Sequence, residues 1–136
     1  MIQRIQTVWL LLAAVSGILT LNFSFYSGVQ VSNNAFHILN AKENNFILIL
    51  TVASSVAAFI SIFLFKNRKL QLRITVTCVL VSILIVVLYF LQVKNYSTGT
   101  FTLWSILSFV IPVFLILAAR GIYKDEKLVK SLDRLR

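Results

Sequence analysis

The chain has 136 residues, of which 59% are hydrophobic and only 12% are charged. An ordinary soluble domain carries about twice that charged fraction, so the composition argues against a soluble globular protein and favours a single membrane domain. Thirteen Lys and Arg against four Asp and Glu give a formal charge of +9, yet the cations gather at the ends of apolar runs, which disfavours a simple nucleic-acid-binding domain.

Four apolar runs without charged residues predict four transmembrane helices, at about 7–25, 46–65, 74–93 and 103–119. A run of about twenty residues spans a hydrocarbon core of roughly 30 Å, and a helix in lipid satisfies its own backbone hydrogen bonds. The first run is nearer to a full span than to a signal-peptide core, and no A-x-A-like site follows it, so a retained helix is favoured over a cleaved signal. The predicted fold is all-α, with four transmembrane helices in an antiparallel bundle.

Two polar loops separate these runs on one side, at 27–45 and 94–102. The longer loop is compatible with a short hairpin or with a surface-lying helical turn, and the residues do not decide between them. His37, the only histidine, lies in this loop, where a lone histidine is usually solvated. Metal binding needs more ligands than His37 and Glu43 supply, so neither a metal site nor a cofactor is predicted.

The segment 65–73, FKNRKLQLR, carries four cations in eight residues and predicts a tight turn between the second and third spans. An even number of spans places both termini on the face of this turn, which then holds 11 cations against 2 on the other face. The positive-inside rule makes the cation-rich face cytoplasmic. The cations of the candidate cytoplasmic interaction face are Arg4, Lys66, Arg68, Lys69, Arg73, Lys124, Lys127, Lys130 and Arg134.

The tail, residues 120–136, has the pattern of a short basic amphipathic helix at the cytoplasmic surface. Its apolar residues Ile122, Leu128, Val129, Leu132 and Leu135 fall largely on one helical face. Three interpretations compete. The helix lies on anionic lipid of the inner leaflet, which is the default; it docks on a partner protein; or it contacts RNA, such as that of the ribosome.

Helix contact in lipid requires small residues or hydrogen bonds, since lipid tails are as apolar as leucine. The first span offers Ala13 and Gly17, and the second offers Ala53, Ala57 and Ser61 at four-residue spacing. These two spans are therefore predicted to form the tightest pair.

The spans contain no Asp, Glu, Lys, Arg or His, the usual residues of proton relays and ion paths, so a proton-coupled transporter is disfavoured. Pro112 in the fourth span predicts a kink because it removes a backbone donor, and a single proline favours a bend over a gate. No Ser, His and Asp set can be drawn on one face, and there is no glycine-rich phosphate loop. An enzyme is therefore not predicted.

Three segments together, MIQRIQ at the start, FKNRKLQLR at the centre and KDEKLVKSLDRLR at the end, resemble the domain-of-unknown-function 4293 family. The resemblance covers essentially the whole chain and implies a small four-helix protein of the inner membrane of Gram-negative bacteria, with its working surface at the cytoplasmic face. The family supplies no activity or catalytic residue. The leading hypothesis is a non-catalytic accessory or assembly subunit that contacts the lipid bilayer and a membrane-protein partner or a second copy of itself. The alternatives are a small channel or transporter, and a membrane-tethered contact for ribosome or RNA.

Overall fold

The computed structural model describes residues 2–136, with side chains from Ile5 onward, so the side chain of Arg4 lies outside the described residues. Within them, the helices are α1 (Ile2–Thr20), α2 (Asn45–Phe63), α3 (Arg68–Val93) and α4 (Ser105–Arg134). The helices pack as a closed ring in which α1 and α3 each contact both α2 and α4. We call this ring the helical body.

Three of the helices, α2, α3 and α4, are long and apolar enough to cross a membrane, and α1 contributes a shorter apolar stretch, Ile5–Thr20. Large side chains such as Ile49, Phe59, Leu80 and Ile106 are exposed on the outside of the helical body. Small and hydroxylated residues fill much of its inside. This distribution reverses that of a soluble protein and is the one expected for helices that pack against each other in lipid.

The predicted packing residues of the first span, Ala13 and Gly17, are buried. Gly17 lies so close to Ser55 of α2 that an added Cβ would overlap the serine hydroxyl. However, α1 contacts α4 more extensively than α2, so the first two helices approach closely at Gly17 but do not form the most extensive pair. The reason is that α4 continues beyond the predicted span alongside the start of α1, where Asp125 bonds to Gln6.

The predicted packing stripe of α2 is wrong at one of its three positions. Ser61 is fully buried and Ala57 is half-buried, but Ala53 is exposed. Successive residues of an α-helix point about 100° apart, so residues eight positions apart point in directions that differ by about 80°. A row of residues at strict four-residue spacing therefore moves off the buried face. The buried residues of α2 combine two steps of four with two steps of three, which keeps them on one face: Ile47, Thr51, Ser55, Ala58 and Ser61.

Buried hydroxyls run along the inside of the helical body and bond mainly to their own helices. Thr51 Oγ1 donates to the backbone oxygen of Ile47 at 2.6 Å, and Thr75 Oγ1 to that of Gln71 at 2.8 Å. Because each hydroxyl is satisfied one turn back, it can be buried without a partner on another helix. Hydroxyls from all four helices surround a cavity of only about 10 Å³, lined by Thr20, Thr51, Ser54, Ser82, Ile85, Ser108 and Ile111.

The two polar loops fold together into a three-stranded antiparallel sheet, which corrects the all-α prediction. The strands are β1 (Tyr26–Gln30), β2 (Phe36–Leu39) and β3 (Tyr96–Phe101), in the order β2-β1-β3. The 27–45 loop contains both of the alternatives, because the hairpin β1–β2 is followed by a short 3-10 helical turn at Ala41–Glu43. Gly28 and Gly99 face each other across β1 and β3, and a Cβ on Gly28 would lie 2.7 Å from Cα of Gly99. The two strands therefore approach more closely here than side chains would permit.

An aromatic cluster joins this sheet to the helices. Phe25 and Tyr89 stack with ring centroids 4.2 Å apart, and both rings are almost fully buried. The backbone of Phe25 is held from both sides, because its N–H donates to Leu39 at 2.8 Å and its carbonyl accepts from Thr102 at 3.3 Å. We call this end of the helical body, with the three strands, the sheet end.

The predicted short tail helix is not separate, because α4 continues to Arg134 without a break. Ile122 and Asp125, assigned to the tail, are buried against the helical body, and only the residues beyond them extend away from it. Pro112 lies in the third turn of α4 and the helix continues on both sides of it. The kink at Pro112 stays a prediction.

Candidate functional site

The two basic segments of the predicted interaction face meet at the end of the helical body opposite the sheet. We call this the charged end; it comprises the 64–67 turn, the start of α1 and the last third of α4. Arg68 Nη1 donates to the backbone oxygen of Asp125 at 3.4 Å, which joins the turn to α4. An open groove of about 690 Å³ lies between them, lined by Phe65, Lys66, Asn67, Arg68, Lys69, Glu126, Val129, Lys130 and Asp133.

The groove carries mixed charge with a cationic excess, because Lys66, Arg68, Lys69 and Lys130 face only two carboxylates. Lys130 Nζ lies 2.9 Å from Glu126 Oε1, an i, i+4 pair along α4. Glu126 is mostly shielded while Lys130 is largely exposed. Lys66 and Lys69 are exposed as well, so the turn side of the groove presents the more accessible positive charge.

The remaining predicted cations whose side chains are described lie outside the groove. Arg73 is exposed on α3, and Arg134 is exposed at the last residue of α4. Lys124 and Lys127 are exposed on α4 and border a shallow depression of about 310 Å³ with Leu128 and Ser131. The structure therefore divides the predicted face into a groove and a set of separate surface cations.

A buried hydrogen bond fixes the start of α1 to the last third of α4. Gln6 Nε2 donates to Asp125 Oδ2 at 2.6 Å, and both residues are buried. Gly121 makes room for this contact, since a Cβ there would lie 2.7 Å from Cγ of Gln6. The position from which α4 leaves the helical body is thus set by a side-chain contact that spans 119 residues of sequence.

Sequence reasoning missed this contact because it places Asp125 in a basic amphipathic helix at the cytoplasmic surface. A signal was present: Leu115, Ala118, Ile122 and Asp125 follow steps of three and four residues, and all four are buried. That spacing extends the buried face of the fourth span into the tail. Asp125 is the last residue of the buried face of α4 and does not belong to the exposed charged surface.

A second buried amide closes the turn between α2 and α3. Gln71 Nε2 donates to the backbone oxygen of Ser61 at 2.9 Å. The Ser61 hydroxyl donates in turn to the backbone oxygen of Ala57 at 2.8 Å. One carbonyl at the C-terminal end of α2, that of Ser61, is thereby bonded to a side chain of α3, which connects the two helices across the short 64–67 turn.

At the sheet end, the structure places His37 next to Glu43, with Nε2 and Oε2 3.7 Å apart. In the part of the chain whose side chains are described, no group of three or more His, Cys, Asp and Glu residues is close enough to bind a metal ion. The same two residues line a polar pocket that sequence reasoning did not anticipate.

Packed helices with large apolar residues outside, a small sheet at one end and a charged groove at the other define a small, mostly helical protein of membrane-like composition. The chain belongs to the family described as a domain of unknown function, DUF4293, whose model matches residues 2–135. The resemblance seen in the three charged segments is therefore confirmed over almost the whole chain. No curated protein and no solved structure matches this chain.

Proposed function

We propose that this protein is an integral protein of the bacterial inner membrane in which α1 to α4 cross the bilayer as an antiparallel four-helix bundle. The exposed aliphatic and aromatic residues of the helices would face lipid. Helix α1, with 19 residues, is long enough for roughly 28 Å at 1.5 Å per residue. The cation asymmetry between the two ends supports a cytoplasmic charged end and cytoplasmic termini, with only Lys42 and Lys94 near the sheet.

Within that frame we propose a non-catalytic role as an accessory or assembly subunit that binds a partner membrane protein at its charged end. The observation that carries the proposal is the groove together with the part of α4 beyond Asp125. This extension presents apolar side chains that are between 39% and 84% exposed, namely Leu128, Val129, Leu132 and Leu135. An apolar strip next to a cationic groove is the composition of a binding surface with a polar rim.

Contacts of α4 with α1 and α3, at the point where the extension leaves the helical body, hold this surface in one position. Asp125 is held by Gln6 of α1 through its carboxylate and by Arg68 of α3 through its backbone oxygen. The extension therefore leaves the helical body in a fixed direction beside the groove. The complementary partner would carry acidic side chains next to apolar ones, so that the carboxylates meet Lys66 and Lys69 while the apolar residues cover the strip.

The test is affinity purification in a mild detergent with a photo-crosslinking residue at Val129, in the groove. A partner membrane protein should crosslink to the intact chain and be lost from a variant with Lys66→Glu and Lys69→Glu. The matched control is Lys42→Glu with Lys94→Glu, which makes the same charge change at the sheet end, away from both the groove and the α4 extension. The control should retain the partner, because charge complementarity is removed only at the groove.

Three results would redirect or overturn the proposal. Recovery of the intact chain only as a free monomer, without crosslinks, would overturn it. A crosslink to a second copy of the chain would replace the partner by a homo-oligomer. Crosslinking to anionic lipid alone, or loss of the partner after nuclease treatment, would favour the lipid-surface or RNA interpretation of the basic tail instead.

The channel alternative has less support from the geometry. The hydroxyl-lined cavity inside the helical body is about the size of one water molecule. Phe25 and Tyr89 are packed together at the sheet end, and Leu10 and Leu115 belong to the cluster nearer the charged end. A conducting path would require these apolar clusters to separate. An accessory subunit requires no such rearrangement and no cofactor.

A further inference from the structure

The sheet end holds a polar pocket that the proposed accessory role does not use. Its volume is about 360 Å³, within the range of roughly 300 to 1,000 Å³ of small-molecule sites. The pocket lies where the sheet meets the start of α2 and the end of α3. Its lining residues are Gln30, His37, Leu39, Glu43, Asn44, Asn45, Phe46, Gln92, Asn95 and Tyr96.

One wall is built from β1, β3 and the end of α3. The pairing of β1 with β3 shifts register between Val29 and Gln30, at the point where Gln30 lines the pocket opposite Tyr96. Such irregularities commonly redirect a side chain next to a binding site. Asn95 is fixed from two directions, because its backbone oxygen accepts from Val31 at 3.0 Å and its Nδ2 donates to Gln92 Oε1 at 3.5 Å. The backbone of Asn95 is therefore fixed by the fold, and its exposed amide lies next to that of Gln92.

The opposite wall is the start of α2. Asn44 caps this helix, since its Oδ1 accepts from the backbone N–H of Phe46 at 3.0 Å. This cap uses the acceptor side of the amide, while its NH₂ group is a donor. Asn45 is exposed beside it, and the Phe46 ring is 75% exposed at the same wall. The wall thus combines carboxamides with an accessible aromatic ring.

Two shielded polar atoms belong to or adjoin this pocket. Nδ1 of His37 and Oδ1 of Asn40 are out of contact with solvent and have no hydrogen-bond partner among the described residues. Buried polar groups are nearly always paired, so such atoms in a native structure call for an explanation. Because solvent does not reach either atom, a ligand in the pocket would contact other atoms of His37 instead.

The lining also limits the charge of a ligand. Glu43 is the only carboxylate on the wall, and its neighbour His37 is 3.7 Å away. The nearby cation Lys42 bonds instead to Asn22 Oδ1 at 3.4 Å, and Lys94 borders a separate depression with Val31 and Ser32. No lysine or arginine is part of the lining, so the pocket lacks the cationic side chains that bind phosphate or carboxylate most strongly.

We propose that this pocket binds a neutral polyhydroxylated molecule, a mono- or disaccharide unit. Carboxamides donate and accept at once, as sugar hydroxyls do, and five of the ten lining residues are Asn or Gln. Phe46 and Tyr96 supply rings for the apolar faces of a sugar. Burial first, then the charge of Glu43 and Tyr26, raise the pKa of the Tyr96 hydroxyl, so this group keeps its proton for donation at neutral pH.

The test is binding of cellobiose, maltose and N,N′-diacetylchitobiose to the purified chain in a detergent without a sugar headgroup. Saturation-transfer NMR and titration calorimetry should show saturable binding of at least one disaccharide. Tyr96→Phe and Asn45→Ala should each weaken it by about three- to tenfold, the usual effect of one lost hydrogen bond. Ser32→Ala and Lys94→Ala, which alter the neighbouring depression, should change it less than twofold.

Thermal unfolding of each variant checks that the fold is retained. Comparison of cellobiose with an alkyl cellobioside separates two sources of the same chemistry: tighter binding of the alkyl form indicates a glycolipid headgroup, and equal binding a free sugar. Absence of saturable binding by folded wild-type protein would overturn the proposal. Equal weakening by the pocket and control variants, or preferential binding of inorganic phosphate, would overturn it as well.

Discussion

The two ends of the helical body are closed by different kinds of interaction. At the sheet end, strands from both polar loops pair through their backbones over a stacked aromatic cluster around Phe25 and Tyr89. At the charged end, single side chains, Gln6, Arg68 and Gln71, form hydrogen bonds between helices, and a groove stays open beside them. A backbone sheet fixes one end as a unit, whereas a few hydrogen bonds hold the other end and leave a surface available.

The largest expected effect is at the sheet end, from Phe25→Ala. This change removes a ring that is only 2% exposed and stacked on Tyr89. Truncation of a buried phenylalanine costs about 3 to 5 kcal/mol of unfolding free energy. Unfolding by denaturing detergent in mixed micelles measures this loss. Phe36→Ala, at a ring that is 69% exposed in β2, is the control, and a similar loss there would show that the aromatic cluster is not what closes the sheet end.

The next effect is at the charged end, from Asp125→Ala. This change leaves the buried amide of Gln6 without its acceptor, which costs about 1 to 3 kcal/mol. Asp125→Asn keeps an oxygen that accepts from Gln6, so its loss should be clearly smaller. The same unfolding measurement compares the two variants. Equal losses would mean that the negative charge, rather than the hydrogen bond, joins α1 to α4.

The pH dependence of stability should distinguish the sheet end from the charged end, because it depends on Tyr96 in β3. Burial, Glu43 and Tyr26 raise the pKa of its hydroxyl above the ordinary value of 10.0, so the folded protein binds this proton more tightly than the unfolded chain does. The resulting stability is fully present below the unfolded pKa and is lost as the pH rises through the higher folded pKa. Tyr96→Phe should therefore flatten the fall in thermal stability above about pH 10. Tyr123→Phe, which removes a phenol that is 60% exposed on α4, is the control.

The number and approximate positions of the long helices were predictable, because each long helix contains one apolar run of the sequence. The predicted span 46–65 corresponds to Asn45–Phe63, whereas the third helix begins six residues before the predicted 74, at Arg68. Its first residues are basic, and Lys and Arg are good helix formers that hydropathy alone assigns to a turn. A charged boundary therefore marks the end of an apolar run, which is not always the end of a helix.

The features that make the two ends different were not predictable from local pattern. Strand β3 contains Ser, Thr and Gly and forms because β1 lies beside it, a pairing between residues about seventy positions apart in sequence. Asp125 is buried because Gln6 and Gly121 provide a place for it. The groove likewise depends on the contact of the 64–67 turn with α4. Each of these follows from tertiary contact, which one sequence does not display.

The smallest expected effect is from the ion pair in the groove. Glu126→Ala or Lys130→Ala removes an i, i+4 pair, and because Lys130 is 63% exposed the loss should be no more than about 0.5 kcal/mol. It should vanish at about 1 M salt, where exposed charges are screened within roughly 3 Å. Lys127→Ala, at an exposed lysine outside the groove, is the control. A loss above about 1 kcal/mol that persists in salt would mean that the pair is part of the framework of the charged end. A small, screened loss instead leaves both side chains free to exchange partners, as a binding surface requires.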